Sequence, residues 1–111
     1  MTNIDNKDLL FAAINDYDHF TKSQRAIVNI ILNFEKQGAA NISINSITEM
    51  AGITKTMVYK NLTKLENAQI LIREKKANEK IGYIQLKKDK LQEILEVYLK
   101  KQQIVQKRLS K

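Results

Sequence analysis

Apolar side chains recur at helical intervals through most of the chain and alternate in pairs near its middle. Leu10, Ile14 and Tyr17 predict a first helix over roughly Asn6 to Tyr17, with Asp5 and Asp8 at its positive end. Thr21, Lys22, Ser23 and Gln24 read as a capping box. Behind it, Ile27, Ile30, Ile31 and Phe34 form one stripe, widened by Val28 and Leu32. A stripe that wide predicts a central helix, ending near Gly38 as its C′ residue.

Ile42 and Ile44 alternate with Ser43 and Asn45 in a short strand-like run, after which Asn45 or Ser46 caps a helix of about two turns ending at Ala51. Gly52 makes the turn and Thr54 caps the next helix, whose Val58, Leu62 and Leu65 fall at i, i+4 and i+7. Lys55, Thr56, Tyr59, Lys60, Thr63 and Lys64 are left on the opposite side. Then the period changes: Ile70 and Ile72 alternate, Arg73 to Lys80 is almost wholly polar, and Ile81, Tyr83, Ile84 and Leu86 resume an apolar run. Two strands joined by a charged tip fit this pattern. From about Asp89 to Leu109, the positions Leu91, Leu95, Tyr98, Gln102, Val105 and Leu109 are spaced alternately four and three, a seam of heptad type.

Composition narrows what such elements can do. A chain of 111 residues is one domain by the usual prior of ~100 to 200 residues. We divide it into an N-terminal helix (1–20), a core (21–88) and a long C-terminal helix (89–111). With no cysteine and one histidine, zinc fingers, disulfide scaffolds and thiol chemistry lack their ligands. No apolar run approaches the ~18 residues that span a bilayer, so the expectation is a cytoplasmic protein without membrane contact. The net charge is +7, unevenly divided. Residues 1–53 carry four basic and six acidic side chains, whereas residues 54–111 carry fifteen basic and six acidic. The basic half starts at "GITKTMVYKNLTKL", and the asymmetry points to nucleic acid or another anionic surface. A lysine-rich solvated exterior is the plainer explanation of charge taken alone.

Running on from Ile42, "SINSITEMAGITKTMVYKNLTKLENAQILIREKKANEKIGYIQL" resembles the DNA-binding core of winged-helix bacterial regulators of the MarR and ArsR type. The likeness, one of pattern rather than identity, covers Ile42 to Leu86. It rests on Ile47, Ala51, Gly52, Ile53, Val58 and Leu62, and on the leucine-rich exit "LTKLENAQILIREK". It implies a mainly α fold with a small β-hairpin wing (α+β): a winged helix-turn-helix flanked by an N-terminal helix and a long C-terminal dimerisation helix. Two positions depart from the pattern. Thr48 stands where alanine is usual, and Asn67 to Gln69 lacks the glycine that often precedes the first wing strand. The metal-ligand pattern of ArsR sensors is absent, and neither a cofactor nor a metal is implied.

Chemistry then assigns roles. Lysine can donate to guanine acceptors, asparagine can pair with adenine and a threonine methyl can touch that of thymine in the ~12 Å major groove. Lys55, Thr56, Tyr59 and Lys60 are therefore the expected base or phosphate contacts, with Lys64 on the backbone. Amides at Thr54 and at Asn45 and Ser46, at helix N-termini, suit phosphate. Arg73, Lys75, Lys76 and Lys80 extend a basic arm toward a neighbouring groove, with Asn78 at its tip. Packing on a neighbouring helix is the competing role for Tyr59, and a solvated hairpin tip for the wing lysines. Met50 and Met57 read as core filler or turn contacts. His19 reads as structural, and no carboxylate pair or triad suggests catalysis, so no enzyme is expected.

For the C-terminal seam, Leu91, Leu95, Tyr98, Gln102 and Val105 are the expected homodimer interface, and folding back on the domain is the alternative. The leading expectation is a homodimer that reads double-stranded DNA and represses by occupancy. A plasmid or phage segregation or replication protein that binds repeats is the alternative. A further one is a winged helix serving a protein partner.

Overall fold

The computed structural model describes residues 6–74 and 82–109. Asn6 opens helix α1 (Lys7–Asp16) by accepting the Leu9 amide on its side chain, and Leu10, Ala13 and Ile14 turn inward. Helix α2 (Lys22–Phe34) begins with the full capping box: Thr21 Oγ1 accepts the Gln24 amide while Gln24 Oε1 accepts the Thr21 amide. Ile27, Val28, Ile31 and Leu32 are buried. This helix is the central rod of the core.

It stops at Phe34, short of Gly38, with Glu35 already extended. Gly38 instead shares a two-residue turn with Gln37, at φ +90° and +53°, between strands β1 (Glu35–Lys36) and β2 (Ala39–Ile42). Positive φ at both central positions is what a tight type I′ hairpin demands. Glu35 Oε1 accepts the Gly38 amide at 2.6 Å and holds the turn shut. Phe34 is left exposed, lining a shallow groove with Met50, so Phe34 is not the core residue its stripe suggests and Met50 is not core filler. Met57 is exposed as well.

The strand expected at Ile42 to Asn45 lies upstream, and Ser43 rather than Asn45 or Ser46 caps helix α3 (Ile44–Ala51), its Oγ accepting the Ser46 amide at 3.0 Å. Thr48, the departure from alanine, donates its hydroxyl to the Ile44 carbonyl at 2.8 Å, so the polar group is satisfied within its own helix. Gly52 takes the left-handed conformation at φ +68° and its amide reaches the Thr48 carbonyl. Thr54 then starts helix α4 (Lys55–Asn67).

The exit from α4 is a complete Schellman motif made without glycine. Ile70 donates to the Leu65 carbonyl and Gln69 to that of Glu66, with Gln69 itself left-handed at φ +64°. Strands β3 (Leu71–Glu74) and β4 (Gly82–Leu86) follow, completing an antiparallel sheet in the order β1-β2-β4-β3. Leu71 pairs with Leu86 and both point inward; Ile72 and Tyr83 point outward. The alternation expected from Ile70 and Ile72 is thus displaced, because Ile70 belongs to the helix exit and the inward strand position is Leu71.

Helix α5 (Lys88–Leu109) buries Leu91, Ile94 and Leu95 and packs along α1. Leu91 and Leu95 are therefore spent in the protomer's own core and are not free for a partner. Tyr98 is half-buried against that core, whereas Gln102 and Val105 are exposed. The fold is a winged helix-turn-helix with flanking helices at both ends, as the sequence pattern implies. Among the described residues no helix is long and apolar enough to cross a membrane.

Gly52 and Gln69, both left-handed, differ in what substitution does. Adding a Cβ at Gly52 meets nothing within 4 Å, so Gly52→Ala carries only the backbone cost, about 1–2 kcal/mol of stability. Gln69→Gly relieves the same strain and is expected to raise stability by about 0.5–1 kcal/mol. Urea unfolding of both variants checks the opposite signs.

Candidate nucleic-acid interface

Thr54 fixes where the interface starts. Its Oγ1 accepts the Met57 amide at 3.2 Å, and α4 then runs for 13 residues, about 20 Å. Val58, Leu62 and Leu65 are buried on one side of it, packed where α2 and α3 meet it. Helical geometry obliges the residues between them to face out. Lys55, Thr56, Tyr59, Lys60, Thr63 and Lys64 are all exposed. Tyr59 is 43 % exposed, which removes the alternative of a ring packed into a neighbouring helix.

The charge on this face is unbalanced. Among the described residues Lys55, Lys60 and Lys64 make no ion pair, whereas Lys7, Lys90 and Lys101 each hold a carboxylate. Lys101 is held above the ordinary lysine range by hydrogen bonds to Asp18 and Asp16, which tie α5 to the α1–α2 joint. Glu66, the one acid on α4, is itself engaged by Arg73. The lysine face therefore presents three cations with no carboxylate paired to them among the described residues.

Arg73 is the site residue that the structure moves. Rather than reaching outward as part of a basic arm, it folds back from β3 onto α4. Its Nε lies 2.8 Å from Glu66 Oε1, its Nη2 contacts the same oxygen, and that nitrogen is also 3.4 Å from Thr63 Oγ1. Glu66 was not anticipated as part of the site. It and Arg73 sit on different elements across a turn, and neither helical nor strand periodicity links them. Lys75, Lys76, Asn78 and Lys80, expected in the arm, lie outside the described residues, as do Asp5 and Ile81.

Helix N-termini supply a second kind of donor. The Ser46 amide is taken by the Ser43 cap and its hydroxyl accepts from Ser43 Oγ, which corrects the expectation that Ser46 offers a free N–H. In the first turn of any helix the leading amides have no intrahelical acceptor. Here those belong to Ile44 and the exposed Asn45 in α3, and to Lys55 and Thr56 in α4.

No protein-family model matches the chain, and no curated protein is similar to it. Solved structures are. A Staphylococcus aureus MepR mutant bound to an oligodeoxyribonucleotide superposes with a TM-score of 0.59, at 17 % identity over 96 % of this chain and 75 % of that one. The transcriptional regulator PA4135 gives 0.54, at 19 % identity over 94 % and 76 %. Staphylococcus aureus MarR in complex with salicylate and kanamycin gives 0.52, at 18 % over 94 % and 68 %. The fold is theirs. At these identities the likeness is one of architecture, and what the surface of α4 does must be argued from its own residues.

Proposed function

We propose that this protein is a homodimeric, sequence-specific double-stranded DNA-binding regulator that acts by occupying its site. The observation that carries the reading is the face of α4. Three lysines without a carboxylate partner among the described residues, three threonines if the capping Thr54 is counted, and an exposed tyrosine stand on a helix whose other side is locked into the core. A protein-interaction core is normally depleted of lysine, while a surface that meets phosphate selects it. Lys55, Thr56, Tyr59 and Lys60 face the bases or the nearest phosphates. Lys64 contacts the backbone, and the first-turn amides of α3 and α4 receive phosphate oxygens. Lys75, Lys76, Asn78 and Lys80, outside the described residues, are the further phosphate or groove contacts of this reading. That the likeness includes a protein bound to an oligodeoxyribonucleotide supports the same reading.

Dimerisation falls to the distal half of α5. This helix is 22 residues long, about 33 Å, and its buried side chains, Leu91, Ile94 and Leu95, all lie in its first half, with Lys101 further along tied to Asp16 of α1. Val97, Ile104 and Val105 remain exposed at i, i+7 and i+8 on one side, with Gln102 and Tyr98 alongside. This moves the interface down the helix and partly off the seam that the heptad spacing suggests: the partner takes Val97, Ile104 and Val105 in place of Leu91 and Leu95. Two-fold symmetry then presents two α4 helices to half-sites about 10 bp apart.

Selection of bound duplexes from a random library at physiological salt is expected to enrich an inverted repeat with half-sites about one helical turn apart. Clustered direct repeats would instead favour a segregation or replication protein, and no enrichment would sink sequence-specific reading. With ~4 phosphates neutralised per protomer, the slope of log affinity against log salt is expected to be roughly −7. Lys60→Ala is expected to weaken binding by ~1–3 kcal/mol, with relaxed discrimination at one base position if Lys60 reads a base. For the dimer, Ile104→Asp is expected to give monomers in sedimentation equilibrium without loss of helical content. A dimer that survives it would move the interface elsewhere.

A further inference from the structure

The wing is fastened at two points, one on the turn that follows α4 and one on α4 itself. Near the turn, the Lys87 amide donates to the Ile70 carbonyl at 2.9 Å and Lys87 Nζ donates to Gln69 Oε1 at 2.7 Å. Further along, Arg73, opposite Ile84 in the register, clasps Glu66 one residue before the end of α4, with both of its near nitrogens on one carboxylate oxygen. The first fastening holds the base of the hairpin. The second bears on β3, the strand leading into the wing, and brings it against the last turn of α4. Both side chains are about 30 % exposed, at 27 % and 31 %, so the pair is partly shielded without being sealed from solvent.

We infer that Glu66 and Arg73 form a positioning pair for DNA recognition, setting the wing against α4 while holding the Arg73 cation away from phosphate. This rests on the DNA-binding reading of α4 above. Two consequences follow from the geometry. Removing the carboxylate releases β3 from the helix, so wing and helix no longer reach their two grooves in a fixed relation. It also frees a guanidinium beside Thr63, on the exposed side of α4, where any backbone phosphate attracts it. The change therefore trades discrimination for indiscriminate charge. Lysine at position 73 keeps the charge but lacks the fork that places two donors on one oxygen.

The test compares wild type, Glu66→Gln, Arg73→Lys and the reversed pair Glu66→Arg with Arg73→Glu, all as full chains below their melting midpoints. Affinities are measured for the selected duplex and for a scrambled duplex across a salt series. Glu66→Gln is expected to lower the ratio of specific to non-specific affinity by about five-fold or more, and to steepen the non-specific salt slope by roughly 1 per protomer. Arg73→Lys is expected to fall between, and the reversed pair to recover the ratio to within about two-fold of wild type. A lower melting temperature for Glu66→Gln with ratio and slope unchanged would reduce the pair to a structural tie and overturn the inference alone. A wild type that shows no preference for any duplex would overturn the DNA reading and this inference together. If Glu66→Gln does not fold, the reversed pair decides: a folded reversed pair without recovered discrimination overturns the positioning role.

Discussion

Burial of Val58, Leu62 and Leu65 is the constraint on which the rest depends. These side chains fix the rotation of α4 about its own axis, and with it the direction in which every lysine on that helix points. Neither the cap at Thr54 nor the left-handed Gly52 could hold that rotation alone; they set where the helix begins and at what angle to α3. The core chooses the face. Strand β3 then leaves the end of a helix whose orientation is already decided, and α2 is the central support on which α1, α3, α4 and β2 all pack.

Much of this was legible in the residues, for a physical reason that also explains the failures. Periodicity reports which side of an element is apolar, and it located α4, its buried triplet and its exposed cations. It does not report what the apolar side touches. The α5 seam has the same four-three spacing whether it packs on α1 or on a second copy, so Leu91 and Leu95 were indistinguishable from Val105 until burial separated them. The β1–β2 hairpin was hidden because its first strand is two residues long and directly follows a helix. A glycine after an apolar helix also looks like a helix stop, and the second positive φ falls on Gln37, which announces nothing.

Polar partnerships were the least readable. Arg73 belongs to a run of basic residues, and composition alone makes it one more cation for a phosphate. Its fate is decided by Glu66 on another element, and the turn that brings them together uses Gln69 where glycine would have advertised a sharp exit. Thr48 is the converse case: it looks like an intrusion in a helix-turn-helix and is absorbed by one hydrogen bond within its own helix.

Helix α5 joins two tasks in one unbroken rod. Its first residues adjoin the last wing strand and its far end stands clear of the domain. A helix transmits rotation with little loss, so in a dimer built on the distal half the reading heads would behave as the ends of calipers. A pivot of about 10° at the joint sweeps the other end of a 33 Å arm by about 6 Å, nearly two base-pair steps. The angular stiffness of that joint, far from any base, would then set how much variation in half-site spacing the protein tolerates.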